Sequence, residues 1–253
     1  MKPKTSSAFT LIELLVVIAI IAILASLALP VFSSVQARAK QTKDMSDTKQ
    51  IVLALKQFAI DNNGVFPYYA PNTTYAAAAA AGTAAATSND AFWWLFPTYT
   101  SDENIFIVGG SHWCTSTADN KLDAAGAAAR TETLKAGENA YAYITALNDT
   151  SNSGFPLVCD AFIDPLASPY QYSTDGTLPG GVWAGKKGIV AFVDGSAKVM
   201  TCDDQLVAAK PSIFRTGSAV DTIFKPATDA GVTWLGATNI PLNPDKGGGF
   251  PYP

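Results

Sequence analysis

The chain has 253 residues, 48% of them hydrophobic and 15% charged, with a net charge of −4. Three cysteines without a C-x-x-C pair, and His112 as the only histidine, argue against a zinc centre. Basic residues gather between 31 and 60 (Arg38, Lys40, Lys43, Lys49, Lys56), while acidic residues outnumber them beyond residue 60. An acidic body argues against a general nucleic-acid-binding surface, because phosphate binding needs a basic patch; no specific nucleic acid is predicted, and DNA contact along the basic stem stays open.

Residues 1–8 read as a short polar leader carrying Lys2 and Lys4. An apolar run begins at Phe9, and from Leu14 to Leu29 it contains no charge. About 20 apolar residues span a bilayer, so a plain anchor fits. A secretory signal cleaved after Ser26-Leu27-Ala28 fits as well. Neither accounts for Glu13, the only charged residue between Lys4 and Arg38. A carboxylate in a membrane helix costs roughly 2.5–3.5 kcal/mol on insertion scales and needs a partner.

The stretch Ala8-Phe9-Thr10-Leu11-Ile12-Glu13-Leu14-Leu15-Val16-Val17-Ile18 resembles the prepilin cleavage and methylation motif of type IV pilins and type II secretion pseudopilins. The resemblance implies a cut between Ala8 and Phe9, N-methylation of Phe9, and pairing of Glu13 with the N-terminal amine of a neighbouring subunit. Pro30 also falls at its family position, whereas Ala8 stands where the family usually has Gly. The implied partners are a prepilin peptidase, an inner-membrane assembly platform, membrane lipid and further copies of the chain in a helical filament. The implied location is the bacterial inner membrane, crossed once, with the body outside the cytoplasm. Charge does not set this orientation, since Lys2 and Lys4 are balanced by Arg38, Lys40 and Lys43 across the span.

Residues 9–29 are thus expected to form the membrane and assembly helix, residues 30–62 a helical stem, and residues 63–253 the body. Pro30 removes one helical hydrogen bond and should bend the axis. Helical spacing resumes with Val31 and Val35 and then Ile51, Val52, Leu55, Phe58 and Ala59, the face expected to pack on the body. At 1.5 Å per residue, Phe9 to Ile60 would extend roughly 78 Å. Asp61-Asn62-Asn63-Gly64 supplies the stop, and with Val65-Phe66-Pro67 it resembles a pseudopilin helix end.

In the body, the Ala-rich segment 70–90 reads as a mobile or partly helical insertion. Asn89-Asp90 should cap a short helix over Ala91–Phe96, with Phe92, Trp93, Trp94, Leu95 and Phe96 in the core. Strands are predicted at 105–108, 140–144 and 156–159. A hairpin is predicted from 188 to 200 around Asp194-Gly195. That hairpin resembles a degenerate H-X9-D-G element of prepilin-like proteins, with Ala184 in place of its histidine. Residues 208–253 read as an irregular, proline-rich tail.

Asp160, Asp164 and Asp175 lie among turn residues and are calcium candidates, because some pseudopilins bind calcium in their bodies. Asp164-Pro165 with Pro169-Tyr170-Gln171-Tyr172 also resembles a pseudopilin segment. One disulfide among Cys114, Cys159 and Cys202 is expected if the body is extracytoplasmic. No G-x-S-x-G, H-E-x-x-H or phosphate-loop motif is present, so no enzyme is predicted. The reading is an α+β, pilin-like fold: a long N-terminal helix on a small antiparallel sheet, serving as a structural filament subunit. The alternative is a secreted or anchored extracytoplasmic binding protein.

Overall fold

The apolar run and the stem form one α-helix, α1, from Leu11 to Asp61, passing through Pro30 without interruption. A computed structural model describes residues 10–166, 168–203, 211–216, 218, 221–226 and 234–246. The chain divides after Thr42 into two units, residues 1–42 and 43–253. The predicted stem is therefore shared between them.

In the first unit, every apolar side chain described from Leu11 to Val35 is exposed. Hydropathy explains why this run has no polar face: no position between Leu14 and Leu29 is charged. A helix hydrophobic all round needs an apolar environment rather than a one-sided core.

From Lys43 onward α1 belongs to the body and becomes amphipathic. Asp44, Asp47, Thr48, Ile51, Val52, Leu55, Phe58 and Ala59 are buried at three- and four-residue spacing, whereas Leu53 and Ile60 are exposed. The helix ends at its expected stop. The Gly64 N–H reaches the Ala59 carbonyl at 2.7 Å, and Asn63 and Gly64 take φ of 55° and 80°. The positive φ is what favours glycine at Gly64, and a Cβ there would also displace the exposed Asp149 carboxylate, whose Oδ1 would lie 2.4 Å away.

The Ala-rich segment is ordered. Its helix α2 spans Tyr75–Ala81, with Thr74 capping the Ala77 N–H and Gly82 closing the other end at φ 69°. Ala78 and Ala85 are buried, so only part of this segment is a surface insertion. Helix α3 is shorter and starts earlier than expected, at Ser88–Phe92. Its cap is Thr87 in a reciprocal capping box with Asp90, and Trp93–Leu95 continue as a 3-10 turn.

Four main strands and one short one build a wholly antiparallel sheet. They are β1 Tyr141–Ile144, β2 Pro156–Asp160, β3 Lys187–Phe192, β4 Ala197–Thr201 and β5 Pro241–Leu242, in the order β4-β3-β2-β1-β5. β1 and β2 are buried along their full length, as central strands covered on both faces should be. β4 is an edge strand with exposed Lys198 and Val199, and β5 on the other edge has only two residues.

The Asp-Gly hairpin forms with a wider loop than the two residues expected. Phe192 and Ser196 close it through N–H to carbonyl at 2.9 Å, and Gly195 sits at φ 88°. Val193 is drawn out of the strand because its N–H and that of Asp194 donate to Phe155 and Ser153 beside β2. Gly188 makes room on β3 for the ring of Tyr172, since a Cβ there would meet Tyr172 Oη at 2.9 Å.

The predicted strand at 105–108 does not form. Asp102 instead caps a 3-10 turn, Glu103–Phe106, through the Asn104 N–H. Ile105, Phe106 and Val108 are nevertheless buried, so this apolar run joins the core without forming a strand. The tail is irregular where described, apart from β5, and residues 204–210 and 247–253 lie outside the described residues.

Candidate assembly helix and acidic clusters

At the start of α1, Glu13 has a partner within its own chain. Its carboxylate accepts the Thr10 N–H at 2.8 Å and the Thr10 hydroxyl at 2.6 Å, while the Glu13 N–H reaches Thr10 Oγ1 at 3.3 Å. This is a capping box, Thr-x-x-Glu, in which two N–H groups without helical partners are satisfied reciprocally. Thr10-x-x-Glu13 is legible in the sequence as a capping box, a signal that the apolar character of the run obscures. Ala8 and Phe9, where cleavage and methylation are predicted, lie outside the described residues. Pro30 is inside α1, and the helix continues on both sides of it.

The three calcium candidates are not brought together. Asp160 is the last residue of β2, fully buried, and its Oδ2 accepts from Trp183 Nε1 at 2.8 Å and the Ile189 N–H at 2.7 Å. Asp164 pairs with Lys246. Asp175 is exposed and closes its own turn by accepting from the Thr177 N–H and hydroxyl at 2.8 and 2.7 Å. That local bonding holds its carboxyl below the ordinary range. Neighbouring prolines and glycines suggested three similar turn acids, but strand pairing, an ion pair and a turn claim them separately.

Asp160 faces another buried acid instead. The ladder pairs Tyr141 with Asp160, placing both side chains on one face of the sheet. From α1, Asp44 Oδ1 accepts the Tyr141 hydroxyl at 2.7 Å. The other oxygens, Asp44 Oδ2 and Asp160 Oδ1, are buried without a donor when both groups are ionised. Their burial together favours protonation of the pair. Burial, foremost, raises the Asp44 carboxyl to about 6, and burial together with the Asp44 charge raises Asp160 well above the carboxylate range.

A second acidic group comes from parts of the chain with no common sequence signal. One carboxylate oxygen each from Glu103, Asp119 and Glu138 lies within 4.8 Å of the others, and this is the one such grouping among the described residues. These residues are too far apart in the chain to form a motif, and only folding makes them neighbours.

The expected disulfide is absent: Cys114, Cys159 and Cys202 are all free thiols. Cys159 is enclosed in β2, where a partner would have to enter the core. Burial raises Cys114 to about 11 and Cys202 to about 12, so both remain protonated and poorly nucleophilic.

Between the sheet and the preceding segment, a fully paired polar network fixes α3. Asn139 donates to Ser88 Oγ and Asn89 Oδ1 at 2.9 and 3.0 Å, and Ser88 donates to the Tyr141 carbonyl at 2.7 Å. Arg130 bridges Asp90 and Asp245 at 3.0 and 2.6 Å. These groups hold one another and expose no reactive side chain in a cleft.

Residues 3–29 match a family model described as a prokaryotic N-terminal methylation motif. No curated protein and no solved structure matches the chain. The matched residues are those that lead into and begin the exposed part of α1, a helix long and apolar enough to cross a membrane. The chain therefore carries a prepilin-type N-terminal methylation motif at the head of its one membrane-length helix among the described residues.

Proposed function

We propose that the chain is a structural, non-enzymatic subunit of a type IV pilus-like or type II secretion pseudopilus filament. The observation that carries this reading is the coincidence of the prepilin-type motif with a helix whose described apolar side chains, from Leu11 to Val35, are exposed. Cleavage between Ala8 and Phe9 by a prepilin peptidase would create the amine that is methylated. The helix would first hold the subunit in the inner membrane, crossing it once with the body outside the cytoplasm. It would then pack against the helices of other copies in a filament built by head-to-tail, non-closing contacts.

The physics of that transfer limits what can drive it. Lipid tails are as apolar as neighbouring Leu and Ile side chains, so moving the helix from membrane to filament gains little from the hydrophobic effect. Close packing and pairing of Glu13 with a neighbour's N-terminal amine are left to set the register. Removing one member of such a buried ion pair leaves an uncompensated charge, a loss of roughly 3–5 kcal/mol.

Mass spectrometry of the mature N-terminus tests the reading directly. N-methyl-Phe9 is the expected first residue. A mature chain starting at Leu29 would instead show an ordinary secretory signal and overturn the proposal.

A further inference from the structure

Glu103 is fully buried as the first residue of the 3-10 turn found where a strand was predicted. Its Oε1 accepts the Leu134 N–H at 2.8 Å, and the Asn120 side chain holds its backbone N–H at 2.8 Å. Its second oxygen, Oε2, is buried with no hydrogen-bond donor. An unpaired buried carboxylate oxygen is costly, so its position needs a physical reason.

The neighbouring acids deepen that cost. Asp119 and Glu138 each place a carboxylate oxygen within the same 4.8 Å group. Glu138 is itself buried, held by the Lys135 N–H on Oε2 at 2.8 Å. Lys121 and Lys135 both reach Asp119 at 3.2 Å, and Lys135 also pairs with Glu132 at 2.7 Å. Two ammonium groups therefore face four carboxylates, and both lie on the exposed Asp119 side rather than at Glu103 Oε2. Burial, foremost, and then the Glu138 charge raise the Glu103 carboxyl above its ordinary range.

We propose that Glu103, Asp119 and Glu138 form a calcium site that pins the segment between α3 and β1. Calcium binds oxygen at about 2.3–2.6 Å in flexible geometry, so oxygens on one ion can lie up to about 5 Å apart. The observed grouping falls within that span. Magnesium binds at about 2.0–2.1 Å in stricter octahedral geometry and fits this spread less well. Glu103 supplies the inner ligand, Glu138 the second buried carboxylate, and Asp119 the ligand at the solvent side. The three calcium candidates suggested by sequence take no part.

The test uses the full chain purified in detergent, stripped with a chelator and titrated with calcium chloride. Calorimetry should give one saturable site. A calcium concentration about 100 times Kd should raise the thermal midpoint by about 5 °C or more. Glu103→Gln keeps an acceptor for the Leu134 N–H but removes the charge, and it should weaken binding at least tenfold. Asp119→Asn, at the exposed ligand, should weaken binding without disturbing the fold and decides the matter if Glu103→Gln misfolds. Asp175→Asn and Asp164→Asn should bind calcium as the parent does. The proposal is overturned by no binding at millimolar calcium, by unchanged affinity in Asp119→Asn, or by loss of the site in Asp175→Asn. Magnesium giving an equal response would overturn the choice of ion.

Discussion

The Asp44–Asp160 pair makes stability depend on pH in a definite direction. Asp44 moves from an ordinary 3.8 to about 6, which corresponds to roughly 3 kcal/mol for a group this deeply buried. The folded chain holds a proton that the unfolded chain releases above about pH 4. Stability from this pair is therefore complete below that point and is lost as pH rises through about 6. Burial raises Asp47 in the same sense, with Lys43 at 2.5 Å opposing it, and the Asp47 charge adds to the cost at Asp44. Asp119, held near 2 by the Lys121 N–H, loses its contribution only at more acidic pH. Asp160→Asn supplies an amide donor toward Asp44 and retains a carbonyl oxygen for Trp183 and Ile189. Denaturant titrations from pH 4 to 8 should show the decline in stability shrinking in that variant, with a gain of about 1–3 kcal/mol at pH 8. An unchanged pH slope would remove the pair as its cause. Sequence could identify Asp44 as a residue of the stem, but not that β2 would bring Asp160 opposite it.

Among the elements, the legible ones were those whose signals are local. The stop at Asn63-Gly64 depends on backbone conformation within a few residues, and the Asp194-Gly195 hairpin likewise. The buried stripe of α1 follows from its own spacing. Leu55 and Leu53 turn that stripe into a test, because they share one helix and one side-chain type but differ in burial, fully buried against 58% exposed. Leu55→Ala should cost 2–5 kcal/mol, read as a lower urea midpoint, whereas Leu53→Ala should stay within about 0.5 kcal/mol. Equal effects would show that the helix does not pack as described. Ile105-Phe106-Ile107-Val108 marks where local reading fails, since four apolar residues suit a strand or any other buried segment. What decided it was Asp102 beside Asn104, a capping pair that closes a turn before pairing with a strand can begin. The Glu103 cluster is further from reach, because its three acids belong to separate loops and carry no shared spacing.

For the molecule as a whole, Glu13 carries the proposed assembly role, and its bond to Thr10 makes that role separable from helix capping. Glu13→Ala should insert into membranes normally but lose filament yield. A capping box accepts Gln as well as Glu at this position, so Glu13→Gln should preserve the start of the helix while removing the charge. Filament loss in both variants, scored by electron microscopy of cells producing each, is the outcome expected of charge pairing. Normal assembly in Glu13→Gln would reduce the residue to a cap.

The same Thr10–Glu13 bond bears on the leader. The groups that cap α1 come from residues 10 and 13, both downstream of the predicted cut. Severing residues 1–8 removes none of these atoms, so the helix need not be remade afterwards. Proteolysis here would alter the valence of the chain end, exposing one amine, while leaving the start of α1 as it was. The precursor would then be held back from assembly by blocked chemistry at one nitrogen rather than by an unfinished fold.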